Sequence, residues 1–221
     1  MLAKQQAQPT LSRGSERSEQ VKSRLFAGVD VGGWRKGFHL ALIDDERVRA
    51  CARERTVAAA VALLRSWGPQ LAAVDAPVER GPRACERELA RAVCRLYYAP
   101  RHPRGDFYEW MRRGLALYAA LRGSAISVIE CFPTATWTRL GGPRGQLSRA
   151  SWSRAVLESS GLRGVAPSSS QDERDAIGAA LTARLAVAGR VQRFGQIVVP
   201  LAPDVPRERL ARRSLAAQSG C

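Results

Sequence analysis

Leu25-Phe26-Ala27-Gly28-Val29-Asp30-Val31-Gly32-Gly33 is the stretch on which the reading of the fold turns. Leu, Phe and two Val on a short run indicate a buried strand, and the paired glycines close it in a tight turn. A carboxylate at the end of such a strand costs several kcal/mol if it is buried without a partner, so Asp30 needs a cation or hydrogen-bond donors. Two readings follow. Asp30 accepts from the amides of the Gly32-Gly33 turn, or it belongs to a wider acidic site built with carboxylates further along the chain.

Working outward, residues 37–44 form a second strand. The polar Asp44-Asp45-Glu46 group turns the chain into a third, edge-like strand over 47–55, completing an antiparallel meander. Residues 57–67 have helical apolar spacing and stop at Gly68-Pro69. A fourth strand over 71–74 leads into Asp75-Ala76-Pro77. Because it follows a crossover helix, it lies parallel to the first.

Residues 81–123 interrupt this pattern with two helices, 84–97 and 107–121, around a Pro- and Arg-rich loop at 99–106. A fifth strand, 126–131, carries Glu130 and ends at Pro133. Residues 134–164 form a second basic insertion with one helix around 150–159. The last helix is announced by Ser170 and Glu173, which match a capping box. Ile177, Leu181 and Leu185 follow at helical spacing beside the small Gly178, Ala179 and Ala180, and Gly189 ends the helix. A short apolar strand, 197–199, stops at Pro200. Residues 1–24 are expected to be a disordered basic tail and residues 201–221 an Arg-rich tail, leaving one domain over 25–200. The order specifies an RNase H-like mixed five-stranded sheet with flanking helices, strands one and four adjacent at its centre.

The chain has 221 residues, enough for a substantial core, and is 45% hydrophobic. No apolar run approaches the ~20 residues of a membrane span and no signal-peptide pattern opens it, so a cytoplasmic protein without a membrane partner is expected. Cys51, Cys85, Cys94, Cys131 and Cys221, with only His39 and His102 beside them, form no zinc set and are read as reduced thiols. A net charge of +15 suits a polyanionic partner, DNA or RNA. Only Lys4, Lys22 and Lys36 among the basic residues are lysines, so the bias also fits a GC-rich genome.

In this arrangement Asp30 and Asp75 stand at neighbouring strand ends. Asp172 and Asp175 share one face in the first turns of the last helix. Such a cluster needs cations, and Mg²⁺ or Mn²⁺ are the natural partners of carboxylate oxygens. Two such ions ~4 Å apart would serve an in-line phosphodiester displacement.

The motifs Gly28-Val-Asp-Val-Gly-Gly33, Ala73-Val-Asp-Ala-Pro77, Glu130-Cys-Phe-Pro-Thr-Ala135 and Asp175-Ala-Ile-Gly-Ala-Ala-Leu-Thr-Ala183 resemble those of the domain of unknown function 429 family. Arg83-Ala-Cys-Glu-Arg-Glu-Leu89 is similar to its basic segment, and Asp172-x-x-Asp175-Ala176 to the acidic helix of RuvC-like resolvases. The resemblance spans about 26–200 and implies a nuclease of RNase H-like fold. It implies Asp30, Asp75 and Asp175 as metal carboxylates, with Asp172 and Glu130 as further members.

Each residue also has a plainer role. Asp75 would cap a turn, Asp172 would complement the helix dipole, and Glu130 would pair with an arginine such as Arg83 or Arg87. Arg83, Arg87, Arg101 and His102 are candidates to face the substrate. Trp34 and Phe132 would line a base-stacking cleft or pack at the rim. Two other functions compete: a non-catalytic nucleic-acid-binding module, and an ATP-binding protein of the actin-like or sugar-kinase kind. The latter needs two such halves, so it would require a dimer; a polyanion-binding surface gains nothing from clustered acids.

Overall fold

The computed structural model describes residues 24–203, and both expected tails fall essentially outside them. In chain order the elements are β1 (Phe26–Val31), β2 (Phe38–Ile43), β3 (Val48–Glu54), α1 (Val57–Trp67), β4 (Leu71–Asp75) and α2 (Ala84–Ala92). A 3₁₀ turn (Asp106–Tyr108) then precedes α3 (Glu109–Leu121), β5 (Val128–Cys131), α4 (Pro133–Gly141), α5 (Arg149–Ser159) and α6 (Gln171–Val187), and a β6 (Val191–Phe194) and β7 (Ile197–Pro200) hairpin closes the series.

The strands form one sheet in the order β3-β2-β1-β4-β5-β7-β6. β1 is antiparallel to β2 and parallel to β4, and β5 continues the parallel half. This meander joined to a parallel core is the RNase H-like arrangement. The sheet has seven strands among the described residues, not five. β7 forms where the apolar run predicts it. β6 carries Gln192 and Arg193, which face solvent; it pairs with β7 across Gly195-Gln196 and is anchored by Phe194, buried against Cys85 and Leu89 of α2. Two helical expectations also change. α2 stops at Ala92 instead of running to 97. Pro133, expected to end a strand, is instead at the start of α4, where its missing amide costs nothing.

Side chains alternate across the sheet. Phe26, Ala41, Ile43 and Ala73 face α6 in a core completed by Trp137, Trp152, Val156 and Ile177. Ala27, Val29, Val31, Leu40, Ala72 and Val74 face α1 and α3 with Leu64, Leu117 and Leu121. The insertion containing α4 and α5 therefore packs with α6 on one face, while α3 lies on the other.

α6 seats directly on β1. A Cβ at Gly28 would fall 2.0 Å from Ala176 O and 2.2 Å from Ala180 N, backbone atoms that cannot yield. At Gly178 a Cβ would meet the Trp137 ring at 2.4 Å. Gly68, by contrast, ends α1 at φ 57 with nothing within 4 Å. Gly28→Ala is therefore expected to lose more stability than Gly178→Ala, where the clash is with a side chain and not with backbone, and Gly68→Ala to lose about 1 kcal/mol from backbone strain alone. Denaturant unfolding of the three variants tests that ranking; a Gly28→Ala protein as stable as Gly68→Ala would show that the helix can lift off the strand.

Candidate active site

Strand register builds the site. Asp30 is paired with Asp75 across the β1–β4 parallel ladder and with His39 across the β1–β2 antiparallel one. His39, Asp30 and Asp75 thus form one row across three strands. Two-residue periodicity puts them on the α6 face, in step with Ala41, Gly28 and Ala73. α6 enters this row with its first turn. Ser170 caps it as expected, accepting from Glu173 N at 3.1 Å while the Glu173 carboxylate takes the Ser170 amide at 2.6 Å. Asp172 and Asp175 follow on the face turned to the strand ends.

The four aspartates are held differently. Asp175 is buried and takes hydrogen bonds from Trp137 Nε1 at 2.9 Å, Gln171 Nε2 at 3.0 Å and the Arg149 guanidinium at 2.9 Å. Asp172 is bound by Lys36 Nζ at 2.8 Å. No donor among the described residues hydrogen-bonds the carboxylates of Asp30 or Asp75. The Gly32 amide donates to Gly37 O at 2.8 Å, so it does not serve Asp30.

Protonation equilibria record this crowding. Burial first, then the charges of Asp175 and Asp172, push Asp30 up to about 8 against the pull of Lys36 and Arg149. Burial, then Asp30 and Asp175, raise Asp75 as well. Burial lowers His39, keeping its imidazole neutral. His39 Nδ1 lies 3.8 Å from Asp30 Oδ2 and has no hydrogen-bond partner among the described residues.

Two expected site residues fall elsewhere. Glu130 points to the opposite face from Asp30 and Asp75, because its neighbours Ile129 and Cys131 take the α6 side. There it is buried and receives two hydrogen bonds from Arg83, both 2.7 Å, and one from Val78 N at 3.1 Å. Arg83 also binds Glu86 and is only 9% exposed in its side chain, so it braces the base of the first insertion instead of facing a substrate. Arg87, Arg101 and His102 are exposed on that insertion. Trp34 is 71% exposed, with the Arg113 guanidinium 5.0 Å from its ring centre. Phe132 packs with Ala135 and Ile197 and lines a cavity of about 210 Å³ that opens beside Asp75.

Sequence reading passed over His39, Lys36 and Arg149. His39 carried a usable signal, since the turn over 32–37 joins the first two strands of the meander and pairs it with Asp30. Lys36 carried another: in a chain whose basic residues are nearly all arginine, it is the only lysine among residues 24–203. Arg149 had none, because its approach to Asp175 depends on how the second insertion packs.

Asp30 has a folded-state value near 8 and an unfolded value near 3.8, so between them the folded protein holds the extra proton. Stability of the chelator-treated protein should therefore fall as the pH rises through that window. His39, lowered from 6.5, has the opposite slope just below neutrality. The difference in melting temperature between wild type and Asp30→Asn isolates the carboxylate: it should widen in favour of Asn from pH 4 to pH 8, and a constant difference would refute the crowding. Separately, Arg83→Met should cost about 3–5 kcal/mol by stranding two buried carboxylates. Adding Glu130→Gln should recover part of that loss in a denaturation series.

No family model and no curated protein matches the chain, so no matching model stands behind the likeness of its motifs to the domain of unknown function 429 family. Among solved structures, RuvC of Thermus thermophilus superposes with a TM-score of 0.44 and 18% identity, covering 75% of this chain and 96% of that one. The same T. thermophilus protein in complex with a Holliday junction substrate gives a TM-score of 0.41 and 17% identity over 72% and 91% of the two chains. Strand order and register define the fold independently of these likenesses.

Proposed function

We propose that this protein is a divalent-metal-dependent nuclease that hydrolyses phosphodiester bonds of DNA or RNA. The observation carrying the proposal is the row of Asp30 and Asp75, met by Asp172 and Asp175, at one end of the central strands. Two of these carboxylates are crowded yet receive no hydrogen bond from the described residues. Nothing in the fold requires such an arrangement, and its cost is removed by a bound cation.

The donor set fits Mg²⁺ or Mn²⁺: carboxylate oxygens from three elements, with an unpartnered buried nitrogen beside them. Asp30 and Asp75 would hold the ion, with Asp175 and Asp172 completing the set as Arg149 and Lys36 shift from them to phosphate oxygens. Bound there, the metal supplies an activated water and stabilisation of charge on the phosphate. Arg149 is oriented for its role by Thr134 Oγ1, to which it donates at 3.0 Å.

The surroundings suit a polyanion. Arg87, Arg101 and Arg104 are exposed on the first insertion, which holds ten arginines, counting Arg80 at its edge, against four acids. Trp34 and the edge-to-face pair Tyr97 and Phe107 offer exposed rings for bases to stack on. A purely binding module is disfavoured by the same acidic row, which would repel phosphate in the absence of metal.

The test is a cleavage panel of single-stranded, duplex, hybrid and four-way-junction substrates with Mg²⁺ or Mn²⁺. Cleavage of at least one substrate is expected, abolished by EDTA and lowered on the order of a hundredfold or more by Asp30→Asn or Asp75→Asn. Binding should weaken steeply with salt. Chelator-resistant cleavage, or full activity in both variants, would overturn the assignment.

A further inference from the structure

We infer that His39 Nδ1 is itself a metal ligand, joining Asp30 and Asp172 in a mixed nitrogen–oxygen site that selects Mn²⁺ over Mg²⁺. The inference rests on the metal-dependent reading above and adds the identity of one ligand and of the preferred ion.

Three independent features converge on it. The first is placement: His39 stands opposite Asp30 in the β1–β2 register, on the α6 face, so its ring is delivered to the acidic row by the strand itself. The second is the state of its nitrogen. His39 is 8% exposed, and Nδ1 has no hydrogen-bond partner among the described residues. A buried nitrogen left without a partner is unfavourable, and coordination to a metal ion would satisfy it. The third is spacing. One donor atom from each of Asp30, His39 and Asp172 lies within 4.8 Å of the others, close to the ~4.3 Å that separates opposite ligands of a six-coordinate ion with bonds of about 2.15 Å.

A cation already occupies part of this space: the Lys36 ammonium, 2.8 Å from Asp172 Oδ1. Lys36 is 63% exposed and lies on the turn between β1 and β2, so it can swing away when a divalent ion takes its place. Asp75 lies on β4, on the other side of Asp30 from His39, which leaves the imidazole as the nitrogen donor of this half of the site. Nitrogen ligation decides between ions. Mg²⁺ binds oxygen and dehydrates reluctantly, whereas imidazole suits the first-row transition metals.

The full-length protein, stripped with EDTA and titrated with Mn²⁺, provides the test. Pulsed electron paramagnetic resonance should show ¹⁴N modulation from a coordinated imidazole, replaced by the ¹⁵N pattern when histidine is ¹⁵N-labelled. The chain has two histidines, so His102→Gln should leave the signal intact and His39→Asn should erase it. Mn²⁺ should bind more tightly than Mg²⁺, and His39→Asn should narrow that ratio by about tenfold. Mn²⁺ bound without nitrogen modulation would overturn the role of His39 and leave the metal reading standing. Absence of bound Mn²⁺ would overturn both. Because the wild-type spectrum alone decides ligation, a His39→Asn protein that fails to fold does not spare the proposal.

Discussion

The close seat of α6 on β1 is the contact on which this structure depends. With hydrogen in place of a side chain at Gly28, the helix backbone rests against the strand. That distance brings the first turn of α6 level with the end of β1, where Asp30 stands. The same helix is positioned from its other side by Trp137, whose ring fills the space over Gly178 while its indole nitrogen donates to Asp175. One residue thus packs the core and orients a site carboxylate. Packing and chemistry share the same atoms, so the site is as rigid as the interior that supports it.

Charge is partitioned by the sheet. On the α6 face, four aspartates are only partly compensated, by Lys36 and Arg149. On the other face, Glu130 and Glu86 are saturated by the forked guanidinium of Arg83 and by the amides of Val78 and Ala99. The second group has the geometry of a structural brace, with every strong acceptor used. The first retains acceptors that no donor among the described residues satisfies. The alternation of β5 separates the two: Glu130 and Cys131 are adjacent in sequence and point to opposite sides.

How far the sequence could be read follows from the range of the forces involved. The central strands were evident because both their faces are buried and their ends carry glycine or proline. The α6 cap was evident because Ser170 and Glu173 interact within one turn. The row of Asp30 and Asp75 followed from the crossover rule, which fixes direction and, through the parallel ladder, level. β6 was hidden because Gln192 and Arg193 have no apolar pattern and its pairing partner defines it. α4 was hidden because a proline ending one element can begin another. The face taken by Glu130, and with it the burial of Arg83, depends on a parity that shifts with a single residue of strand boundary.

If the acidic site holds a divalent ion, as proposed, its two protein cations bear on how the molecule would exist between binding events. Many small metal sites are folded only by their metal, so that loss of the ion is loss of the protein. Here an ammonium and a guanidinium already bind Asp172 and Asp175, and the core beneath them is built of packed side chains. Occupancy by a metal would then be uncoupled from architecture. A bound ion would exchange while the chain keeps its fold, and the chemistry of the site would follow the surrounding metal supply.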